Sequence, residues 1–505
     1  MRKKNIIKNT ISILLYQIIY ILCGLLIPKV LMKGYGSETY ALTTSITQFL
    51  AYITLLESGL GIVVKSILYK PIAKKNDEEI ATILKNTQKF FNKILIVFIF
   101  YIVLLCFMYP HTTAANGFDK SLTISLIVII SLSTFFEYFF GMTYKLFLQA
   151  DQKSYIVSNI QLITYIANTI AIVVMVYLGF DIVIVKLISS LIFVLRPTIQ
   201  NIYVKRRYNI NLRNGKDNFK IPNRYDGLSQ HIAGIINSNS DITLLTIFTD
   251  IANVAIYSVY NMILTNIKAL INSFTLGTDA AFGDMYAKQE YEKLNKSFDI
   301  YETIYLQIIT ILFGCTLILI VPFISVYTKG ISDVNYINYS FAFLIVLASY
   351  FHCIKTPYNS LAYDAGKFKE TKHGAWIEAI INIVVSLILV FKFGLIGVLI
   401  GTLMSVIYRG VEFIIYVSKH ILKRKVLESA KKIFICFLQI IIIIVVSNYI
   451  DLSFVDNYYE WVLAALVAFI TISILVFAIS CVFYRDNIKE IITKLKMKFT
   501  KKSNL

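Results

Sequence analysis

A chain of 505 residues that is 57% hydrophobic and only 16% charged, with a mean hydropathy of +0.68, is too apolar for a soluble globule of that length, so its solvent is a bilayer. The net charge of +19 calls for no nucleic-acid partner, because the inner loops of membrane proteins collect Lys and Arg and face anionic lipid headgroups. The six cysteines stand singly and the five histidines fall in no ligand spacing, so no metal and no other cofactor is expected.

The first apolar run, Thr10 to Met32, follows Arg2, Lys3 and Lys4. It is too long for a signal peptide and lacks a small-residue cleavage site, which predicts a retained first helix. Windows of about 19 residues then predict about fourteen spans, centred near 21, 52, 101, 134, 166, 193, 239, 267, 313, 348, 382, 406, 440 and 472. The seventh, Leu228 to Asp250, carries His231, Asn237, Ser238, Asn239, Ser240 and Asp241, a polar face that suits water or substrate. The fold class is therefore all-α and polytopic.

Lys and Arg cluster in alternate loops: the N-terminus, Lys65 to Lys93, Lys205 to Arg224, Lys288 to Lys296, Lys367 to Lys372, Lys419 to Lys432 and the basic tail. The intervening loops hold Glu38, Asp119, Asp181, Asp333, Asp451, Asp456 and Glu460 with few cations. That alternation places both termini in the cytoplasm and the chain in the cytoplasmic (inner) membrane, bathed in membrane lipids.

Shifted by 215 positions, the sequence matches itself weakly, without gaps, over about 45 residues: Ala150 on Ala365, Gly179 on Gly394, Val183 on Val398, Ser190 on Ser405, and aromatic Phe193 on Tyr408. The shift spans six helices, so both copies keep one orientation in the membrane. This predicts two six-helix lobes, 1–208 and 228–420, a basic linker over 209–227, and two further helices with a basic tail over 421–505. Parallel repeats are a common framework for alternating access, with substrate between the lobes near mid-membrane; chance likeness between apolar helices is the bland alternative.

Ionisable side chains within spans cost several kcal/mol and so face a cavity or a partner. Lys268 and Lys355 have no acid three or four residues away, which makes them candidates, with Arg409 and Lys186, for lining a cationic cavity that takes an anion such as a lipid pyrophosphate. Arg409 and Glu412, at i and i+3, also suit simple mutual neutralisation. Lys29, Lys186 and Arg196 lie within reach of span ends and also suit snorkelling. Glu57 and Asp241 are the candidates for coupling to a proton or sodium gradient. Gly394, Gly397 and Gly401 form a small-residue face for close helix packing. No G-x-x-x-x-G-K-[ST] motif occurs, and the longest outer loop, around Pro110 to Ser121, is too short for a catalytic domain, so no catalytic residues are expected.

Leu26-Ile27-Pro28-Lys29-Val30-Leu31, Gly34 to Tyr40, Leu56-Glu57-Ser58-Gly59-Leu60-Gly61, and the stretch from Asn359 through Gly366-Lys367 and Asn382 to Phe393-Gly394-Leu395-Ile396-Gly397 resemble the Wzx-type polysaccharide biosynthesis flippases. That family belongs to the multidrug/oligosaccharidyl-lipid/polysaccharide (MOP) exporter superfamily. The resemblance implies fourteen helices and translocation of undecaprenyl-diphosphate-linked oligosaccharide repeat units to the outer leaflet, for O-antigen, capsule or exopolysaccharide biosynthesis. It also implies a cationic central cavity, which the in-span cations would line, and a polysaccharide polymerase and chain-length regulator as partners. Where the family motif often has Asp, this chain has Glu57. The alternatives are a MATE-type multidrug antiporter, a peptidoglycan-precursor flippase, and, furthest from the residues, a membrane-embedded polymerase.

Overall fold

The computed structural model describes residues 2–57, 60–208, 228–275, 279–447 and 454–483, with 210, 212, 215, 216, 450 and 452. Ser58 and Gly59 of the second motif, most of the basic linker including Arg213, Lys220 and Arg224, and the basic tail lie outside these residues. Every regular element among the described residues is helical.

The chain divides into two compact units, Met1–Met262 and Ile263–Leu505. The first holds α1 (Arg2–Tyr35), α2 (Ser37–Ala51), α3 (Thr54–Glu57), α4 (Leu60–Lys74), α5 (Asp77–Met108), α6 (Lys120–Phe136), α7 (Met142–Ala150), α8 (Ser154–Tyr177), α9 (Ile182–Arg207) and α10 (Leu228–Phe248). Helix α11 (Ile251–Thr275) runs across the division. The second unit continues with α12 (Asp279–Ala287), α13 (Tyr291–Tyr327), α14 (Tyr339–Asp364), α15 (Phe368–Phe393), α16 (Leu395–Tyr416), α17 (Val426–Ser447) and α18 (Tyr458–Phe483).

Among the described residues, twelve helices are long and apolar enough to cross a membrane, against the fourteen expected. The two that differ are those centred near 52 and 239. The first is broken into α2, α3 and α4, and the second, α10, is diluted by its Asn, Ser and Asp. The repeat places the first unit's end at 208, whereas the compact unit runs on to Met262. The reason is local: α10 is hydrogen-bonded into the first unit through Ser45 to Thr246 at 2.6 Å, Tyr52 to Thr243 at 2.9 Å, and Thr113 to the Ile247 carbonyl at 2.7 Å.

Helix ends follow from local chemistry. Asn76, Asp181 and Asn338 accept the backbone N–H groups of Glu79, Val183 and Phe341 at 3.2, 2.8 and 3.0 Å, satisfying donors that the first turn cannot. The short turns of the two repeat copies both pass through a left-handed glycine, Gly179 at φ 74° and Gly394 at φ 53°, a conformation that only glycine adopts without cost. Beyond Gly394, a side chain on Gly397 would lie 2.3 Å from the Leu389 carbonyl oxygen and one on Gly401 2.6 Å from the Ser386 nitrogen; glycine is what lets α15 and α16 touch.

Burial sorts the helices. Only 22% of the apolar window of α18 is buried, against 56% in α13, so α18 presents its surface to lipid and α13 is the post around which the second unit packs. Side chains such as Phe107, Phe391 and Val482, over 70% exposed, would be untenable in water at this density but are ordinary in hydrocarbon. At the basic end of the first unit, Tyr208, just past α9, donates to the Asp151 carboxylate and accepts from Lys153. Burial first, and then that carboxylate, raises the Tyr208 hydroxyl well above the usual phenol range.

Candidate functional site

In the first unit the sixth and seventh helices are one rod interrupted by a π-helical turn, Glu137–Gly141, of the kind that often marks a functional position. A side chain on Gly141 would stand 2.4 Å from Pro197 of α9, so the turn packs directly on that helix. The Gln88 side chain donates to the Phe139 carbonyl at 2.5 Å, serving a backbone acceptor at the turn, and its oxygen accepts from Thr143 at 2.8 Å.

The turn brings two charges together. Residues eight apart on a continuous α-helix sit about 80° apart around the axis, but the extra residue of a π turn removes most of that angle. Glu137 and Lys145 therefore meet as an ion pair of 2.8 Å, with 43% and 25% of their side chains accessible. They face two adjoining cavities of about 150 and 400 Å³, both lined by Ser133, Glu137 and Lys145.

Arg196 closes the smaller cavity. Its Nε donates to Thr164 at 2.7 Å, and its guanidinium lies 4.0 Å from the Phe193 ring and 5.2 Å from Tyr165. Its Nη2 is buried with no hydrogen-bond partner among the described residues, which is costly for a charged donor. Tyr16 and Tyr20 extend the aromatic wall, with ring centroids 6.2 and 5.1 Å from Tyr165. Glu57 lines the larger cavity and accepts from Tyr138 at 3.0 Å.

The other predicted residues lie elsewhere. Lys186 is about 15 Å along α9 from Arg196, half-buried, near the start of that helix. Lys29 is half-buried on α1 beside Pro28. Asp241 is 4% exposed on α10 and accepts from Tyr257 at 2.8 Å.

In the second unit, Lys355 of α14 is ion-paired with Glu378 of α15. Arg409 of α16 reaches the same carboxylate at 3.6 Å and Glu412 at 2.5 Å. Two cations thus face two carboxylates. The expectation that Lys355 lacks a local acid holds along its own helix, but α15 supplies one. The Glu412 carboxylate occupies the space that a Gly374 side chain would take, 1.7 Å from the ideal Cβ position. Lys268 is near enough to act electrostatically on His352 and Cys353, as Lys355 does.

Sequence reading missed Lys145 and gave Glu137 no role, because their spacing carries no helical signal until the π turn is known. It also missed a network at the basic end of the second unit. There Glu302, fully buried, accepts from Arg424 and Lys432 at 2.8 Å, from Ser429 at 2.7 Å and from Tyr358 at 2.6 Å.

Solved structures that match the chain include a lipid flippase and multidrug transporters. A lipid II flippase MurJ in an inward closed conformation matches with a TM-score of 0.69 at 16% identity, covering 95% of this chain and 100% of that one. An inward-facing multidrug resistance MATE family transporter of the MOP superfamily matches at 0.58 and 15% identity, covering 79% and 93%. A MOP superfamily transporter from Pyrococcus furiosus, described as having a binding pocket of reverse polarity, matches at 0.53 and 16%, covering 84% and 97%. No family model and no curated protein matches the chain. The chain has the fold of MOP superfamily transporters and is a multi-pass membrane protein.

Proposed function

We propose that the chain is a flippase that carries undecaprenyl-diphosphate-linked oligosaccharide repeat units from the inner to the outer leaflet of the cytoplasmic membrane by alternating access. In this reading α2 to α4 and α10 complete fourteen crossings, and both termini are cytoplasmic. The observation that carries it is coverage: the match to a lipid flippase spans 95% of this chain, while that to the multidrug transporter leaves about a fifth unmatched. An anionic headgroup would meet Arg196 and Lys145, with Lys268, Lys186 and Lys29 as further cationic positions. In the second unit, Lys355 and Arg409 would take an anion only by leaving Glu378. Glu57 and Asp241 remain the candidates for the coupling ion.

Peptidoglycan-precursor flipping is the second reading, favoured by the lipid II flippase match itself. The two separate in cells. Conditional deletion should leave complete lipid-linked repeat units on the inner leaflet, inaccessible to an impermeant probe. If repeat units reach the outer face normally and the chain instead rescues a strain depleted of its lipid II flippase, the second reading replaces the first.

A further inference from the structure

We propose that the cavity of Glu137, Lys145 and Arg196 exchanges its internal ion pair for an anion and a proton: an incoming anionic group takes Lys145 from Glu137 and engages the Arg196 guanidinium, and the displaced carboxylate takes a proton from water. The natural anion rests on the flippase reading and would be the phosphate of a lipid-linked sugar; the exchange itself does not depend on it.

Charge balance carries the inference. Glu57 and Glu137 offset Lys145 and Arg196, so the cavity is neutral when empty. The Glu137 carboxylate is held by Lys145 at 2.8 Å, and the other charged groups that act on Lys145 are Glu57 and Arg196. Among the described residues, the groups from the other packed elements are uncharged: Tyr16 and Tyr20 from α1, Thr47 from α2, Tyr165 from α8, Gln88 from α5 and Tyr138 from the π turn. An anion added to that wall leaves a net negative cavity within hydrocarbon, which is expensive unless a carboxylate is neutralised.

Geometry selects Glu137 for the neutralisation. Glu57 already has the Tyr138 hydroxyl on its carboxylate at 3.0 Å, whereas the ion pair that holds Glu137 is the one an anion breaks. Lys145 can turn to a new partner because its ammonium sits on a flexible four-carbon stem, while Arg196 is fixed between Thr164 and Phe193 and offers a preset donor.

The test is calorimetric titration of the purified full chain in detergent with 1,2-ethanedisulfonate, a dianion that does not itself titrate between about pH 5 and 8. Runs in two buffers of different ionisation enthalpy read the protons taken up. Wild type should take up about one proton per dianion, with affinity falling up to about tenfold per pH unit on the alkaline side. Glu137→Gln should bind roughly tenfold more tightly at neutral pH with no uptake, and Glu137→Asp should restore uptake. Lys145→Ala and Arg196→Gln should each weaken binding at least about tenfold. Absence of dianion binding by wild type, binding without proton uptake, or undiminished uptake in Glu137→Gln overturns the proposal; the first two need no variant to fold. If uptake is measured while deleted cells still export complete repeat units, the exchange stands and the flippase reading falls.

Discussion

Replacing Glu302 by Ala tests how the last two helices are held. The Glu302 side chain is fully buried, and those of Arg424 and Lys432 are 2% and 9% accessible. Both cations lie 2.8 Å from it, on the loop before α17 and on α17 itself. Removing the carboxylate leaves two buried cations sharing Asp299, which is 3.3 and 2.6 Å away but 32% accessible. Breaking a buried ion pair from one side costs about 3–5 kcal/mol, and the lost Tyr358 and Ser429 bonds add about 1 kcal/mol each at most. For a unit of this size, a total of about 3–7 kcal/mol is a fall in melting temperature of roughly 6–28 °C, to be measured in detergent by intrinsic fluorescence. Adding Arg424→Met should recover part of the loss, since the pair is then replaced rather than broken. A fall of under about 2 °C, or strictly additive effects in the double variant, would refute the view that this network clamps α17 to α13.

Lys355→Ala should lower membrane abundance as well as transport, because it strands Glu378 in hydrocarbon with Arg409 at 3.6 Å; Lys355→Met with Glu378→Gln should restore abundance on an immunoblot but not transport. Gly215→Val should unseat the end of the linker from α5, where its side chain would meet the Ala81 carbonyl oxygen at 2.6 Å and Thr82 Cα at 2.9 Å. Limited proteolysis between residues 209 and 227 should then quicken severalfold without loss of fold. On a cysteine-free background, a cysteine at Asp333 should react with an impermeant maleimide added outside intact cells and one at Lys293 should not; the reverse pattern overturns the orientation read from charge.

Much of this fold was legible because lipid imposes one rule on every span. Length and hydropathy located the twelve strong helices within a few residues, and the left-handed glycines at 179 and 394 fall where the repeat aligns them. What failed depends on contacts distant in sequence. Spans broken near Tyr52, or diluted in α10, keep an apolar average while losing the uninterrupted helix that a window assumes. Lys355 seemed alone because its partner is 23 positions away on α15, and Arg424, Lys432 and the other basic residues near α17 look like an ordinary inner loop until Asp299 and Glu302 are seen beneath two of them. The Glu137–Lys145 pair needed a π turn, which no periodicity in the sequence announces.

The repeat sharpens what the charges mean. At the same offset of 215, Glu137, Lys145 and Arg196 fall on His352, Ser360 and Val411, while Lys355, Glu378 and Arg409 fall on Phe140, Ile163 and Val194. At that offset, no member of either set has a counterpart of like charge in the other. A charge needed only to hold a helix bundle would be expected in both, because both bundles solve the same packing problem. The two sets differ further in completeness. In the second unit two cations face two carboxylates, a closed set whose breakage costs stability. In the first, the Arg196 guanidinium lines a cavity of about 150 Å³ and its buried Nη2 has no hydrogen-bond partner among the described residues, so breaking that set costs less and an added anion gains more.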